Sequence, residues 1–354
     1  ELIGFDLVFD TNDDSIYSNS NHQFVNLINM SRLKDISLED EWNSSGETIN
    51  WTKLDYLNRC IKDYKEENKL FDFTDMIIDY TNDTFLTQFD VLFIDEAQDM
   101  PRIQYNMVSK LIKNSKETYI AGDDDQAIFR WSGADVDRFI NLKGDVTVLD
   151  KSYRCPQKIY KLANRIISRV KNRREKNWQP KEEIGTISYI ADLRHIDLST
   201  GNWLLLGRTK KIRNEKIESF LKDRGFWYGR GDHRPVVPST LEAIETWQRL
   251  KSGSTISLLE VKNLYNKIKS GTGIKRGGKT FKGENEESLF NLEDLKNNHG
   301  LLVDGYWHEV MDKVSDFDIT YLRRLERIGE NIKGEPRIRV STIHQAKGGE
   351  CDNV

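Results

Sequence analysis

Three short apolar runs end on acids and are separated by stretches of helical pattern: VLFID (91–95), ETYIAGD (117–123) and VTVLD (146–150). A short, nearly continuous apolar run with polar ends is how a strand of a parallel sheet reads, because both of its faces are covered. Arg102–Asn114 and Pro156–Val170 carry helical spacing, the second starting on a proline, which a first helical turn tolerates. Thr186–Ile190, Trp203–Leu206 and the β-branched IRVSTI (338–343) read as further strands, with a helix over Lys211–Arg224. Strands alternating with helices predict an α/β fold built on parallel sheets.

Two regions depart from this alternation. Residues 1–69 are polar and acidic, with helix-like stretches at His22–Arg32 and Thr52–Glu66, and Asp35 or Ser37 placed to cap a helix from Leu38. FDFTDMIIDY (71–80) then reads as an amphipathic helix. Residues 235–335 are helix-rich and polar, around a Gly- and Lys-rich patch at 270–283. The chain of 354 residues is long enough for two or three domains, and its 37% hydrophobic and 31% charged residues fit a packed, charged-surface protein. No apolar run approaches the ~20 residues of a membrane span. Cys60, Cys155 and Cys351 lie far apart, without a CxxC pair, which points to a reducing cytoplasm. A net charge of −4 does not advertise nucleic acid, although a global sum can hide a local basic face. Starting on Glu1 and stopping at Val354, just after a motif, the sequence reads as a piece of a longer protein.

GIKRGGKT (273–280) fits the phosphate-cradling pattern G-x-x-x-x-G-K-[ST]. Such a loop works only between a strand and a helix, whose N-terminus faces the phosphates. Here a helical pattern precedes it and FKGENEES follows, so it reads as a basic turn between helices.

The residues with chemistry begin at Asp95. An acid at the C-terminal edge of a strand, where open α/β sheets bind ligands, can hold Mg²⁺, and its neighbour Glu96 can orient a water. Alone, that pair is equally read as a solvated strand end. Downstream, GDDDQAIFRWSGAD (122–135) sets Gln126 within five residues of Phe129, Arg130 and Trp131. A polar strand end beside aromatics suits a loop touching nucleotide on one side and stacked bases on the other; a core role suits either aromatic taken singly. LDKSYRCP (149–156) adds Tyr153 as a platform for a base and Arg154 as a cation for phosphate. STIHQAKGGE (341–350) adds His344, Lys347 and Glu350.

In this order, DEAQD, GDDDQAIFRWSGAD, LDKSYRCP and STIHQAKGGE resemble the motif blocks of the UvrD/Rep family of superfamily 1 DNA helicases. FDFTDMIID (71–79) and LLGRTKKIRNEKIESFLKDRGFWY (205–228) resemble two further segments. The resemblance implies RecA-like P-loop NTPase motor domains with helical inserted subdomains, ATP and Mg²⁺ as cofactors, and single-stranded DNA and ss/ds DNA junctions as partners, without a membrane. It implies that Asp95 coordinates Mg²⁺, Glu96 is the catalytic base, and Gln98 and Asp99 link hydrolysis to neighbouring motifs. Gln126 and Arg154 would contact the γ-phosphate, Tyr153 would stack on adenine and Glu350 would bind ribose. Phe129, Arg130 and Trp131 would line the single-strand track, and His344 would couple DNA to nucleotide. The implied division is 1–69 (rest of a helical insertion in the first motor domain), 70–148 (second half of that domain), 149–234 (first part of the second motor domain), 235–335 (helical insertion) and 336–354 (return to the second). Ser132 stands where many relatives carry Arg, and Gly348-Gly349-Glu350-Cys351 where G-L-E-F is usual. The family's own P-loop precedes these blocks and its arginine-finger motif follows them, so this stretch alone is expected not to hydrolyse ATP.

The expected activity is an ATP-driven 3′→5′ DNA translocase and helicase, with the motor of a helicase–nuclease, or a single-stranded DNA-binding protein without an engine, as alternatives. A phosphotransferase without nucleic acid is disfavoured by the aromatic loop 129–131. The compact insertion hints at a small viral or plasmid enzyme. Two basic features accompany the blocks: a helical stripe over 161–176, with Lys161, Arg165, Arg169, Arg173 and Lys176, and the patch Lys275, Arg276, Lys279 and Lys282. Each is read equally as a solvated face or a contact to DNA phosphates.

Overall fold

Helices and short, mostly parallel strands make up the chain in a computed structural model that describes residues 20–85, 88–332 and 334–354. The expected first segment, 1–69, therefore lies partly outside the described residues. By packing the chain divides after Ser188 into two units.

The first unit opens with helices α1 (Ser20–Lys34), α2 (Leu38–Ser45) and α3 (Trp51–Asn68). Ser37 caps α2, its hydroxyl accepting from the Asp40 amide at 3.0 Å. Leu27, Ile28, Leu54 and Leu57 form a small core between α1 and α3. Helix α4 (Phe73–Asn82) starts with a capping box between Asp72 and Asp75. Arg32 of α1 and Lys65 of α3 converge on the same two carboxylates. Burial pushes the Asp72 carboxyl up, but the hydrogen bonds from Arg32 and Lys65 outweigh it and hold the group well below the usual carboxylate range.

Strands β1 (Phe89–Ile94) and β2 (Ser115–Ile120) pair in parallel, Phe89 beside Ser115 and Ile94 beside Ile120, with α5 (Arg102–Lys113) as the crossover. The expected strand at 91–95 is present but is not buried on both faces. Ile94 and Ile120 pack on Tyr105, Val108 and Phe139, whereas Val91, Phe93 and Tyr119 are exposed. Among the described residues this sheet has only two strands, and α5 with α6 (Val136–Ile140) covers one side.

The expected strand at 146–150 does not form. This segment runs extended and pairs only at its end, where the Gln179 amide donates to the Asp150 carbonyl at 2.7 Å and the Ser152 amide to the Gln179 carbonyl at 2.8 Å. Val146, Val148 and Leu149 are exposed, so the burial that β-branched residues need is absent. Thr186–Ile190 forms no strand for the same reason, with Tyr189 and Ile190 exposed. Helix α7 (Gln157–Ile167) follows Pro156 but stops well short of 176. Arg169, Arg173 and Lys176 consequently share no helical stripe with Lys161 and Arg165.

In the second unit β3 (Trp203–Gly207), β4 (Tyr228–Gly229) and the later strand 338–342 form a parallel sheet with that late strand in the middle. The helical path 210–224 comprises α8 (Lys210–Ile212), a π-helical segment over Arg213–Glu218 and α9 (Ser219–Arg224), and ends at Gly225 with φ +77°. Gly207 lets this path close on the sheet: a Cβ there would lie 2.9 Å from the Arg213 amide nitrogen. The intervening region is α10 (Pro238–Lys251), a two-residue antiparallel pair β5 (Ile256–Ser257) and β6 (Leu289–Phe290), and helices α11 (Leu258–Asn266), α12 (Leu292–Asn297), α13 (Trp307–Val310) and α14 (Asp316–Ile328). It has its own core around Trp247, Leu264, Tyr265, Phe290, Met311 and Leu325. The chain then returns through β7 (Ile338–Thr342), and the Leu204 amide donates to the Asn353 carbonyl, laying the last residues beside β3. The architecture is α/β with parallel sheets, as expected, and the region 235–335 is helical.

Candidate functional site

The ends of β1 and β2 are held together beyond the last paired residues. The Ala121 amide donates to the Ile94 carbonyl at 2.8 Å, and the Ala97 amide to the Ala121 carbonyl at 3.0 Å. These bonds bring two turns, 95–99 and 122–126, into contact. In the first, the Glu96 amide donates to the Asp95 carboxylate at 2.8 Å and Glu96 adopts φ +52°. Among the described residues two other non-glycines have positive φ, Asp35 and Lys69, and both follow helix C-termini. Glu96 instead turns the chain at a strand end, at a conformational cost on the order of 1 kcal/mol for a side chain in the left-handed region.

Gln98 joins the two turns. Its side chain is fully buried; its amide nitrogen donates to a Glu96 carboxylate oxygen and its amide oxygen accepts from the Asp123 backbone at 2.8 Å. The fit requires glycine next door, since a Cβ on Gly122 would lie 2.6 Å from the Gln98 oxygen and 2.8 Å from the Phe139 ring. Tyr105, nearly buried, supports the first turn by donating its hydroxyl to the Ala97 carbonyl at 2.7 Å.

Asp123 organises the second turn. Its carboxylate accepts from the Asp125 amide at 3.1 Å, from the Gln126 side-chain nitrogen at 2.6 Å and from Lys176 Nζ at 2.8 Å. Asp123, Asp124 and Asp125 are the one group of three or more potential metal ligands found among the described residues. Cations of the protein already sit on them. Arg173 makes two bonds to Asp125, at 2.7 and 2.6 Å, and Lys176 pairs with all three acids. The Arg174 amide donates to Asp124 at 2.8 Å. The Asp125 carboxyl is raised by burial but more strongly lowered by Arg173 and Lys176, ending below its usual range. Lys176 is lowered by burial and raised further by Asp123 and Asp124, ending above its usual value. Arg173 and Lys176, expected on a basic helical stripe, are thus an internal counter-charge.

The aromatic loop follows. Phe129 and Trp131 lie 6.4 Å apart between ring centres, tilted by 50°, and Trp131 is 38% exposed. Ser132 donates its hydroxyl to the Phe129 carbonyl at 2.9 Å, and Gly133, at φ +97°, closes the turn against Leu33 and Met30. The Asp135 amide donates to the Met100 carbonyl, laying this loop along the turn after β1. Arg130 pairs with Asp137 at 3.3 Å, a half-exposed contact. Tyr153 is 82% exposed, with Lys151 Nζ 5.3 Å from its ring centre, on a turn where the Arg154 and Cys155 amides donate to Ser152.

Asp95, Glu96, Gln98, Gln126, Phe129, Arg130, Trp131, Tyr153 and Arg154 all lie in the first unit; His344 and Glu350 lie in the second. There β7 ends in a turn over 343–348, braced by Arg213, which is buried and donates to the Gln345 side chain at 3.2 Å. The Glu350 carbonyl accepts from Arg339 at 2.8 Å. GIKRGGKT forms neither a strand-led nor a helix-starting loop. It is a run of turns after α11, and Lys279 folds inward to cap that helix, donating to the Tyr265 and Ile268 carbonyls.

The sequence points Arg173 and Lys176 to a solvated or DNA-facing stripe instead of the acidic turn, and does not single out Gly122. Opposite charge runs, DDD at 123–125 and RREK at 173–176, were the signal for the first two; a helical continuation past Ile167 obscured it.

Comparison with known proteins bears on the same stretch. Residues 6–147 match the UvrD/REP helicase N-terminal domain family. The ATP-dependent DNA helicase PcrA of Bacillus subtilis (strain 168) is 33% identical over 127 residues, 34% of this chain and 17% of that protein. The PcrA of Leuconostoc citreum is 32% identical over 163 residues, 44% of this chain and 21% of the relative. A probable DNA helicase II homolog of Mycoplasma genitalium is 31% identical over 142 residues, 35% and 20% of the two chains. The matches to these relatives span about a fifth of the relatives' own length. Over residues 6–147 the chain is UvrD/Rep-like.

Proposed function

We propose, taking the UvrD/REP match over residues 6–147 as premise, that the chain is part of an ATP-driven DNA helicase. It would translocate 3′→5′ on single-stranded DNA and act at ss/ds junctions. One observation carries the reading: buried Gln98 joins Glu96, at the end of β1, to Asp123, at the end of β2, and Asp123 in turn holds Gln126. A motor needs its water-activating group and its phosphate sensor in fixed relation, and this bridge supplies that.

In this reading Glu96 orients and deprotonates the attacking water, and Gln126 and Arg154 touch the γ-phosphate. Tyr153 stacks on adenine and Glu350 holds ribose. Phe129, Arg130 and Trp131 line the DNA track, with Trp131 stacking on bases. His344 relays between DNA and nucleotide. Asp95 would hold Mg²⁺, which supplies charge neutralisation on the phosphates; one carboxylate suits an ion that keeps much of its water shell. The Asp123–Asp125 cluster does not suit it, because Arg173 and Lys176 fill it. We assign 1–69 to the remainder of a helical insertion, 70–148 to the first RecA-like motor domain, 149–234 and 336–354 to the second, and 235–335 to a helical insertion, in an intracellular enzyme. No helix among the described residues is long and apolar enough to cross a membrane.

The test is ATP hydrolysis by the complete reading frame, with and without single-stranded DNA, beside Glu96→Gln. DNA-stimulated hydrolysis that the variant loses by ~100-fold or more supports the motor. Single-stranded DNA binding without hydrolysis supports a binding protein that lost its engine.

A further inference from the structure

We propose that Lys176 is a positioning residue for ATP hydrolysis, fixing Gln126 and Glu96 through Asp123. The inference rests on the functional reading just given for Gln126 and Glu96 and adds a residue that none of the four motif blocks contains.

Three consecutive carboxylates within 4.8 Å of one another cannot all stay charged and ordered without cations. Lys176, 13% exposed at its side chain, supplies one to each of them, and Arg173 reinforces Asp125. On Asp123 the division of labour is specific. Lys176 takes Oδ1 at 2.8 Å, and Oδ2 accepts from Gln126 at 2.6 Å. An ionised carboxylate can only accept, so the Gln126 amide must turn its nitrogen inward. Its oxygen and second N–H are then presented outward, on an exposed side chain. The Asp123 backbone N–H also holds the Gln98 oxygen, which orients the Gln98 nitrogen toward Glu96. One ammonium therefore acts through Asp123 on an amide orientation, and on a carboxylate position two bonds further on. Under the domain assignment proposed above, Lys176 belongs to the second motor domain and Asp123 to the first, so the tie crosses that boundary.

The experiment compares the complete reading frame with its Lys176→Gln, Lys176→Arg and Asp123→Ala variants in DNA-stimulated ATP hydrolysis, resolving kcat from KM. The expected result is a kcat loss of about tenfold or more in Lys176→Gln with KM within about threefold, and recovery of most of that loss in Lys176→Arg. Lys176→Gln leaves the buried Asp124 carboxylate without its cation, while Asp125 keeps Arg173, and can fail to fold. Asp123→Ala then decides, because Lys176 keeps Asp124 and Asp125 as partners; it should stay folded and lose kcat to a similar degree. A wild-type kcat in folded Lys176→Gln or in Asp123→Ala overturns the proposal while leaving the helicase reading intact. A wild-type protein that hydrolyses no ATP overturns the reading, and the proposal with it.

Discussion

The region 235–335 and the strand-end turns of the first unit are stabilised in opposite ways. The first is a small helical body with a closed apolar core of fully buried large side chains, among them Trp247, Tyr265 and Phe290. The second sits on a two-stranded sheet whose Val91, Phe93 and Tyr119 face outward, and it is ordered by buried Gln98, the Asp123–Lys176 ties and a glycine with no room for a methyl. Burial is tolerant of sequence as long as volume is kept; a polar network is not, because each member left without its partner costs a desolvation penalty. Scaffold and candidate site are separable for that reason.

The sharpest break of this comparison is Trp247→Ala. Emptying that site should cost about 3–5 kcal/mol in denaturant unfolding of the second unit. A cost below ~1 kcal/mol would mean that the helical body does not depend on its core.

Gly122→Ala should cost about 1–3 kcal/mol through overpacking against Gln98 and Phe139. Unlike Trp247→Ala it should abolish DNA-stimulated hydrolysis in the complete protein, since the bridge to Glu96 must move. Retained hydrolysis would detach the bridge from function.

The acidic cluster gives a pH dependence of known sign. The folded Asp125 sits below its unfolded value of about 3.9, so its contribution is present above that value and is lost as pH falls toward the lower folded one. Lys176 sits above its unfolded value of about 10.4, so its contribution is complete below that and is lost as pH rises through the folded one. The first unit should therefore hold its stability from about pH 5 to 10 and weaken at both ends. Melting curves across pH for wild type and Asp125→Asn test this; the variant should lose the acid limb attributed to that carboxyl.

The smallest effects belong to the glycine-rich patch. Lys275→Ala and Arg276→Ala, both exposed, should change stability by less than about 0.5 kcal/mol, whereas Lys279→Ala removes a helix cap and should cost about 1 kcal/mol. If Lys275, Arg276 and Lys282 touch duplex phosphates, mutating them should flatten the salt dependence of duplex binding; an unchanged slope excludes that contact.

Helix starts were legible because their signals are local: Ser37 accepts from an amide three residues on, and Pro156 stands immediately before α7. Strands 91–95 and 338–342 were legible from β-branched or apolar runs, and VTVLD at 146–150 misled for the same reason, since the run by itself does not say whether a neighbour will pair with it. GIKRGGKT was rightly read as a turn from its flanks. That Lys279 would bend back onto the carbonyls of α11 was not readable, because it depends on where the helix ends in space.

Residue identities and their spacing were enough to give the α/β class and the four motif blocks from which the proposed site is drawn, because each of these is written within ten to fifteen consecutive residues. Tertiary structure alone decided how those residues are connected. Gln98 meeting Asp123 across 25 positions, Lys176 neutralising three aspartates some 50 positions away, and the exposure of one face of β1 all follow from long-range packing. Charge and shape are satisfied by whatever lies nearby in space, and no local pattern records that.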